Sequence, residues 1–593
     1  MCGIAGIFNT NGEPVSIVFL RKMTDAISHR GPDGEGFFTD SFVGLGHRRL
    51  SIIDLSPLGH QPMSTKSGHL TITYNGEIYN FQELRIELEA LGYSFKSKTD
   101  SEVLLYAYQE WGEKVLNRLN GMFAFVIWDK QKQEMFIARD RYGIKPFYYT
   151  FADNAFIFSS EQKAILAHPQ VKRDVDKEAL LEYFTFQNIF TEKTLVKGIS
   201  LLPAGCFAKV KLGDNSISIN RYWDFNFYEP EEQLSENEYM EELDRLFIQA
   251  VNRQLISDVD VGSYLSGGMD SGSITAISAR QLPYMKTFTC GFDLNSASGL
   301  ELSFDERSKS EYMSYIFKTE HYEMVLKSGD MERVLPKLSW HLEEPRVGQS
   351  YPNFYAAQLA SKFVKVVLSG AGGDETFGGY PWRYYRAVNN DNFEDYIDKY
   401  YVFWQRLIPN KMIKDVFSPS WNEVKNVWTR DIFKSVFKRH SEKLTRPEDY
   451  INHSLYFEAK TFLHGLLVVE DKLSMAHSLE TRVPFLDNDL VDFAMKLPVK
   501  FKLNNLDDVI RQNENETGKY FKKTKDGKML LRKVMDKYIP SEIINAEKQG
   551  FSAPDASWFK GDSIEYVKKV IFNDKAGMYD FFDKKVVQEM VNE

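Results

Sequence analysis

Residues 258–271, DVDVGSYLSGGMDS, decide how the chain is read. A short apolar strand runs into a Ser-Gly-Gly-Met-Asp-Ser turn, and a helix follows whose apolar stripe begins at Ile274, Ala276 and Ile277. Paired glycines, Gly267 and Gly268, let backbone N–H groups approach an anion, and the helix N-terminus adds partial positive charge. Ser266 and Ser271 bring hydroxyl donors, and Asp270 suits a divalent cation held against phosphate oxygens. A bare Ser-Gly-Gly is an ordinary turn; the flanking strand, helix and aspartate turn it into a candidate phosphate cradle. No G-x4-G-K-[ST] occurs in the chain, so the cradle lacks the Walker lysine.

Two more stretches extend the pattern. Residues 286–292, KTFTCGF, read as the next parallel strand, with Cys290 buried inside it. Residues 364–368 read as a third, ending in SGAGGDE at 369–375. Apolar strands that each deliver a Gly-rich acidic turn are expected where an α/β sheet presents its loops at one edge.

At 593 residues the chain is long enough for two to four domains, and at 43% hydrophobic and 26% charged it is globular in composition. A net charge of -10 argues against a nucleic-acid binder. Three cysteines, Cys2, Cys206 and Cys290, make no disulfide framework and contain no C-x-x-C, which fits a reducing cytoplasm. No apolar run approaches bilayer length; residues 466–469 are cut short by Glu470 and Asp471, and no signal-peptide pattern opens the chain.

The opening MCGIAGIF is a strand pattern in which removal of Met1 leaves Cys2 as the first residue. Such a cysteine carries nucleophile and base together, because a free α-amine (pKa about 7.7–8.0) lies close to the thiol (about 8.5). Further on come HRGPD at 29–33, a basic strand through residues 46–54, and NGEIYN at 75–80. A helix capped at 99–102 follows, then a hairpin over 121–138 that ends in RD-x-x-G.

Together these motifs resemble the class II glutamine amidotransferase domain, an N-terminal-nucleophile glutaminase, over residues 2–205. The resemblance implies that Cys2 attacks the glutamine side-chain amide, with Asn75 and Gly76 supplying the oxyanion hole. It implies that Arg49 holds the glutamine α-carboxylate, that Glu77 and Asp100 receive its α-ammonium, and that Leu50, Ser51, Ile52 and Ile53 line the pocket.

A second resemblance, to the ATP-pyrophosphatase domain of the asparagine synthetase family, covers residues 238–560. It rests on LSGGMDS, SGAGGDE-x-FGGY, the 470–487 run EDKLSMAHSLETRVPFLD, and KQGF at 548–551. It implies a doubly wound parallel α/β domain after an αββα glutaminase sandwich, divided as 1–215, a junction at 216–237, and 238–593. ATP would contact Leu265, Ser266, Gly267, Gly268, Asp270, Ser271, Cys290, Ser369 and Gly370. Mg2+ would sit on Asp270 and Asp374, Lys548 would support phosphate charge, and the 470–487 run would form helical wall and core beneath the site. The implied activity joins ammonia from glutamine to an adenylated carboxylate, through a tunnel. Small-molecule substrates are the implied partners, and a homodimer is left open.

One position departs from the family pattern. The second loop commonly reads SGEGGDE or SGEGADE, and here Ala371 replaces the glutamate. The segment 343–350, EEPRVGQS, also differs. Aspartate as acceptor makes the chain an asparagine synthetase. A uronic acid of a surface polysaccharide is the alternative, for which Arg346 or the aromatic stretch 380–404 would serve a larger acceptor. An inactive regulatory paralogue would have lost Cys2, Asp270, Asp374 or Lys548, and all four are present.

Overall fold

The computed structural model describes residues 2–296, 305–348, 350–438, 444–506, 526–546, 555–560 and 563–592. Strand β1 (Gly3–Asn9) is the expected opening strand, and it sits inside a six-stranded antiparallel sheet. The spatial order is β10 (Ser200–Leu201), β8 (Tyr148–Ala152), β9 (Ala155–Ser159), β1, β3 (Val43–Arg49), β2 (Gly34–Asp40). Gly6 is required there: a Cβ would lie 2.2 Å from the Phe158 ring on the neighbouring strand. A second antiparallel sheet runs β12 (Ser218–Arg221), β11 (Cys206–Lys211), β7 (Glu134–Arg139), β6 (Gly121–Asp129), β5 (Leu70–Ile78), β4 (Met63–Ser64). Its centre is the hairpin expected over 121–138.

The two sheets bury one core between them, Ile4, Phe8 and Leu45 from the first meeting Val126, Trp128 and Ile137 from the second. On the outer faces, Ala5 and Ile7 pack under the helix Ile17–Ala26, and Tyr74 and Phe125 under the helices Phe81–Ala90 and Asp100–Trp111. This is the αββα sandwich. Strand β12 still pairs with β11, so the first unit's second sheet reaches into the stretch expected to be junction. The helix Glu236–Arg253 then starts with a Ser235/Glu238 capping box and buries Leu243, Phe247 and Ala250.

The second unit is built on a five-stranded parallel sheet, ordered β15 (Glu320–Leu326), β14 (Lys286–Phe292), β13 (Val261–Tyr264), β16 (Val366–Leu368), β17 (Glu480–Arg482). From the central β13 the chain fills one side, then crosses back to fill the other. The switch point therefore lies between β13 and β16, where loops 265–268 and 369–372 leave the strand ends, as ligand sites do in such sheets. The 470–487 run supplies both helical wall and buried core, the core as a strand. The helix His464–Met475 ends within it, and residues 480–482 become strand β17, because Glu480 and Arg482 pair with each other and can be buried in a sheet. Among the described residues no helix is long and apolar enough to cross a membrane.

Candidate active sites

Cys2 is half-buried at the edge of the sandwich. Its backbone nitrogen donates to Asn75 Oδ1 at 3.0 Å, and its Sγ lies 3.9 Å from the Leu50 carbonyl. Burial pushes the thiol up, so attack needs a nearby base, a role the Cys2 α-amine would fill once Met1 is removed. Asn75 is buried in β5, and its Nδ2 has no partner among the described residues. An orphaned buried donor costs about 1–3 kcal/mol unless a ligand satisfies it, and here it sits on the residue that holds Cys2. Gly76 follows because a Cβ would lie 2.1 Å from the Met122 carbonyl on β6.

Arg49 is fixed by its own loop, donating from Nη1 to the Ser56 carbonyl (2.9 Å) and from Nη2 to the Asp54 carbonyl (2.5 Å). Leu50 and Ile52 are buried in the core, whereas Ser51 donates its N–H to Asp33 (2.8 Å). Asp100 accepts from the Tyr74 hydroxyl (2.7 Å) and the Ile78 amide (3.0 Å). Burial, then the Glu480 and Asp100 carboxylates, push Glu77 well above the ordinary carboxylate range. Arg482 lies 2.6 Å from Glu480 and 3.9 Å from Glu77, and a third buried carboxylate, Asp100, is close enough to Glu77 and Glu480 to raise their repulsion. That excess of negative charge suits an ammonium group. Glu480 and Arg482 come from β17 of the other unit; their part in the glutamine site was not anticipated, because the run that holds them was expected beneath the ATP site.

The phosphate candidates surround a cavity of about 550 Å³ at the switch point. Ser266, Gly267, Gly268, Asp270 and Ser271 line one side, with Ser369, Gly370, Ala371 and Asp374 on the other. The Ser266 amide donates to Ser271 Oγ at 3.0 Å, closing the loop on itself. Gly267 takes φ 76°, which a side chain rarely adopts, and a Cβ there would strike Glu306. Gly268 caps the helix Met269–Gln281 without a side chain, leaving the first-turn amides open to an anion.

Cys290 also lines the cavity; burial pushes its thiol up to about 12, as befits an inert strand residue. Leu265 does not reach the wall: its side chain is buried in the core, and the Thr289 hydroxyl takes its carbonyl. Asp270 and Asp374 converge on one cation, the Lys528 ammonium, at 2.6 and 2.5 Å. Lys528 gave no sequence signal beyond one lysine in a lysine-rich tail. Lys548 lies outside the described residues.

One acceptor expectation changes, and the other divides between cavity and core. Arg346 does not face the cavity; it is buried against Glu344 (2.7 Å) and the Ile189 carbonyl (3.0 Å), tying the two units together. Of the aromatic stretch, Tyr380 and Trp382 line the cavity beside Arg383, which is held by Glu458 (2.8 Å), while Tyr384, Tyr396, Tyr400 and Trp404 are core.

The two sites are joined by residues 258–271. The Asp258 amide donates to the Ile52 carbonyl (2.9 Å) and its carboxylate accepts from the Asp54 amide (2.7 Å), beside Arg49. Eight residues later, after strand β13, the same segment forms the phosphate loop.

The asparagine synthase family model matches residues 242–593, and a glutamine amidotransferase domain model matches residues 1–223. The chain belongs to the asparagine synthase family. It is similar to asparagine synthetase [glutamine-hydrolyzing] 1 of Bacillus subtilis, 33% identical over 98% of this chain and 91% of that one. Asparagine synthetase [glutamine-hydrolyzing] 3 of the same organism is 32% identical over 100% and 93%. Amidase chry2 of Gibberella zeae is 26% identical over 100% and 95%.

Proposed function

We propose that the protein is a glutamine-dependent asparagine synthetase. The observation that carries the proposal is the pairing of two sites in one chain: Cys2 held by Asn75, and an open helix N-terminus facing two convergent carboxylates. Cys2 attacks the glutamine amide carbon, and the oxyanion meets the free Nδ2 of Asn75. Ammonia leaves, and water hydrolyses the thioester to glutamate. Arg49 takes the glutamine α-carboxylate, and the Glu77–Asp100 pair takes its ammonium.

In the other unit, loop 266–271 and the first-turn amides hold the ATP phosphates. The aspartate side-chain carboxylate displaces pyrophosphate from the α-phosphorus, and ammonia then displaces AMP. Asp270 and Asp374 are the residues that would hold Mg2+, which neutralises phosphate charge when bound. Among the described residues no group of three or more His, Cys, Asp or Glu gathers, so phosphate and water oxygens would complete its shell. A cytoplasmic setting fits three free cysteines.

The test is incubation with glutamine, MgATP and aspartate, measuring pyrophosphate and asparagine. Glutaminase activity without aspartate-dependent pyrophosphate would overturn the acceptor. Cys2→Ala is expected to abolish synthesis from glutamine and to leave synthesis from free ammonia. Simultaneous loss of both would overturn the division of labour.

A further inference from the structure

The amide-forming step just proposed releases a proton. Ammonia adding to the acyl-adenylate carbonyl forms the C–N bond; one N–H proton must leave the nitrogen as AMP departs with the C–O bonding pair. Position 371, where related chains place a carboxylate in the second loop, offers only a methyl group here. Asp270 and Asp374 are engaged with Lys528.

Glu470 faces the same cavity from the helix His464–Met475. Ser369 lines the cavity with it and draws its pKa down, and the Ser369 hydroxyl oxygen accepts from the Ala371 amide at 3.4 Å. Glu470, Ser369 and Ala371 therefore line one cavity, with Ser369 bonded to the Ala371 backbone. The helix carrying Glu470 also touches the glutaminase unit. The next residue, Asp471, is ion-paired to Arg30 (2.9 Å), whose Nε donates to the Cys2 carbonyl at 3.2 Å.

We propose that Glu470 is a catalytic residue that supplies the carboxylate missing at Ala371 and accepts the proton shed by ammonia. This rests on the asparagine synthetase reading. The groups facing Glu470 are Ser369 after β16, Tyr264 on β13, Lys145 from the turn after β7, and Asp471 on its own helix. Burial raises Glu470 to about 7, with Ser369 and Lys145 drawing it down and Asp471 adding to the rise. A carboxylate tuned there can take a proton and return it to solvent near neutral pH.

Aspartate-dependent ATP–pyrophosphate exchange by the wild type is measured first. Its absence overturns the acceptor reading, separately from Glu470. Given exchange, Glu470→Gln is expected to keep it, to lower ammonia-dependent asparagine formation about 100-fold, and to lose the inflection of the pH–rate profile near neutrality. Glu470→Asp, with the carboxylate drawn back by one methylene, should fall between the two. Adding Ala371→Glu to Glu470→Gln should restore part of the rate by returning the acid through the second loop. An unchanged rate and pH profile in Glu470→Gln would overturn the proposal, as would loss of exchange together with amide formation.

Discussion

Lys528 stands in left-handed backbone (φ 56°) ahead of the helix Met529–Met535, its ammonium between Asp270 and Asp374. Two carboxylates that face each other across a cavity repel unless a cation sits between them, and this lysine holds that place with its side chain only 4% exposed. The consequence is that free metal must compete with a tethered ammonium, whereas nucleotide phosphates could draw the lysine away as they bring their own metal. Wild-type protein is therefore expected to bind Mn2+ weakly without nucleotide. Lys528→Met should bind it about tenfold or more tightly, read by electron paramagnetic resonance. Equal Mn2+ affinity in both proteins would sink the idea. Asp270 and Asp374 are legible in the sequence because each lies in a Gly-rich turn after an apolar strand. Lys528 is not, because its position between them depends on how a segment more than 150 residues downstream of Asp374 packs back.

At the scale of elements, a strand is legible when its side chains betray it. β13 and β16 are apolar or small-residue runs that lead into glycines, and β14 is a mostly apolar and small-residue run. β15 is an edge strand with half-exposed polar side chains, and β17 is buried yet made of Glu, Thr and Arg, so neither announces itself. β3 hides a titratable group in the same way. His47 is fully buried, its Nε2 3.2 Å from the Tyr74 carbonyl on β5, and burial lowers its pKa to about 3. The folded state keeps it neutral, whereas the unfolded chain takes up a proton below about 6.5. Its stabilising effect is thus complete above that pH and is lost as pH falls toward 3, by up to about 1.4 kcal/mol per unit. His47→Gln, which keeps a donor for the Tyr74 carbonyl, should show a shallower fall in urea midpoint between pH 6.5 and 4. His341 and His477, both lowered to about 4 mainly by burial, act in both proteins and cancel in the comparison. Identical slopes would mean that His47 does not contribute.

For the whole molecule, motif order makes the two units readable, but their contact is not, because it is built from residues far apart in sequence. HRGPD reads as a polar turn. In the fold its Arg30 is fully buried between Glu161 (2.9 Å) of its own unit and Asp471 (2.9 Å) of the other, while Asp33 meets Lys365 at 2.8 Å. Asp471 also receives Lys145 (3.5 Å), and Lys163 and Lys472 share Glu343 (3.2 and 2.7 Å). Buried charges of this kind add little net stability when intact, but removing one partner typically costs about 3–5 kcal/mol, because the other is left uncompensated. Asp471 lies between the Cys2 site and Glu470, so its loss should do more than destabilise. Asp471→Asn is expected to unfold at lower temperature and to release glutamate in severalfold excess over asparagine, while synthesis from saturating ammonia stays near the wild-type rate. Lys177→Ala, which removes an exposed ion pair to Glu423, is the matched control and should change neither quantity. A lowered unfolding temperature with an unchanged glutamate-to-asparagine ratio would mean that Asp471 holds the units together without coupling their chemistry.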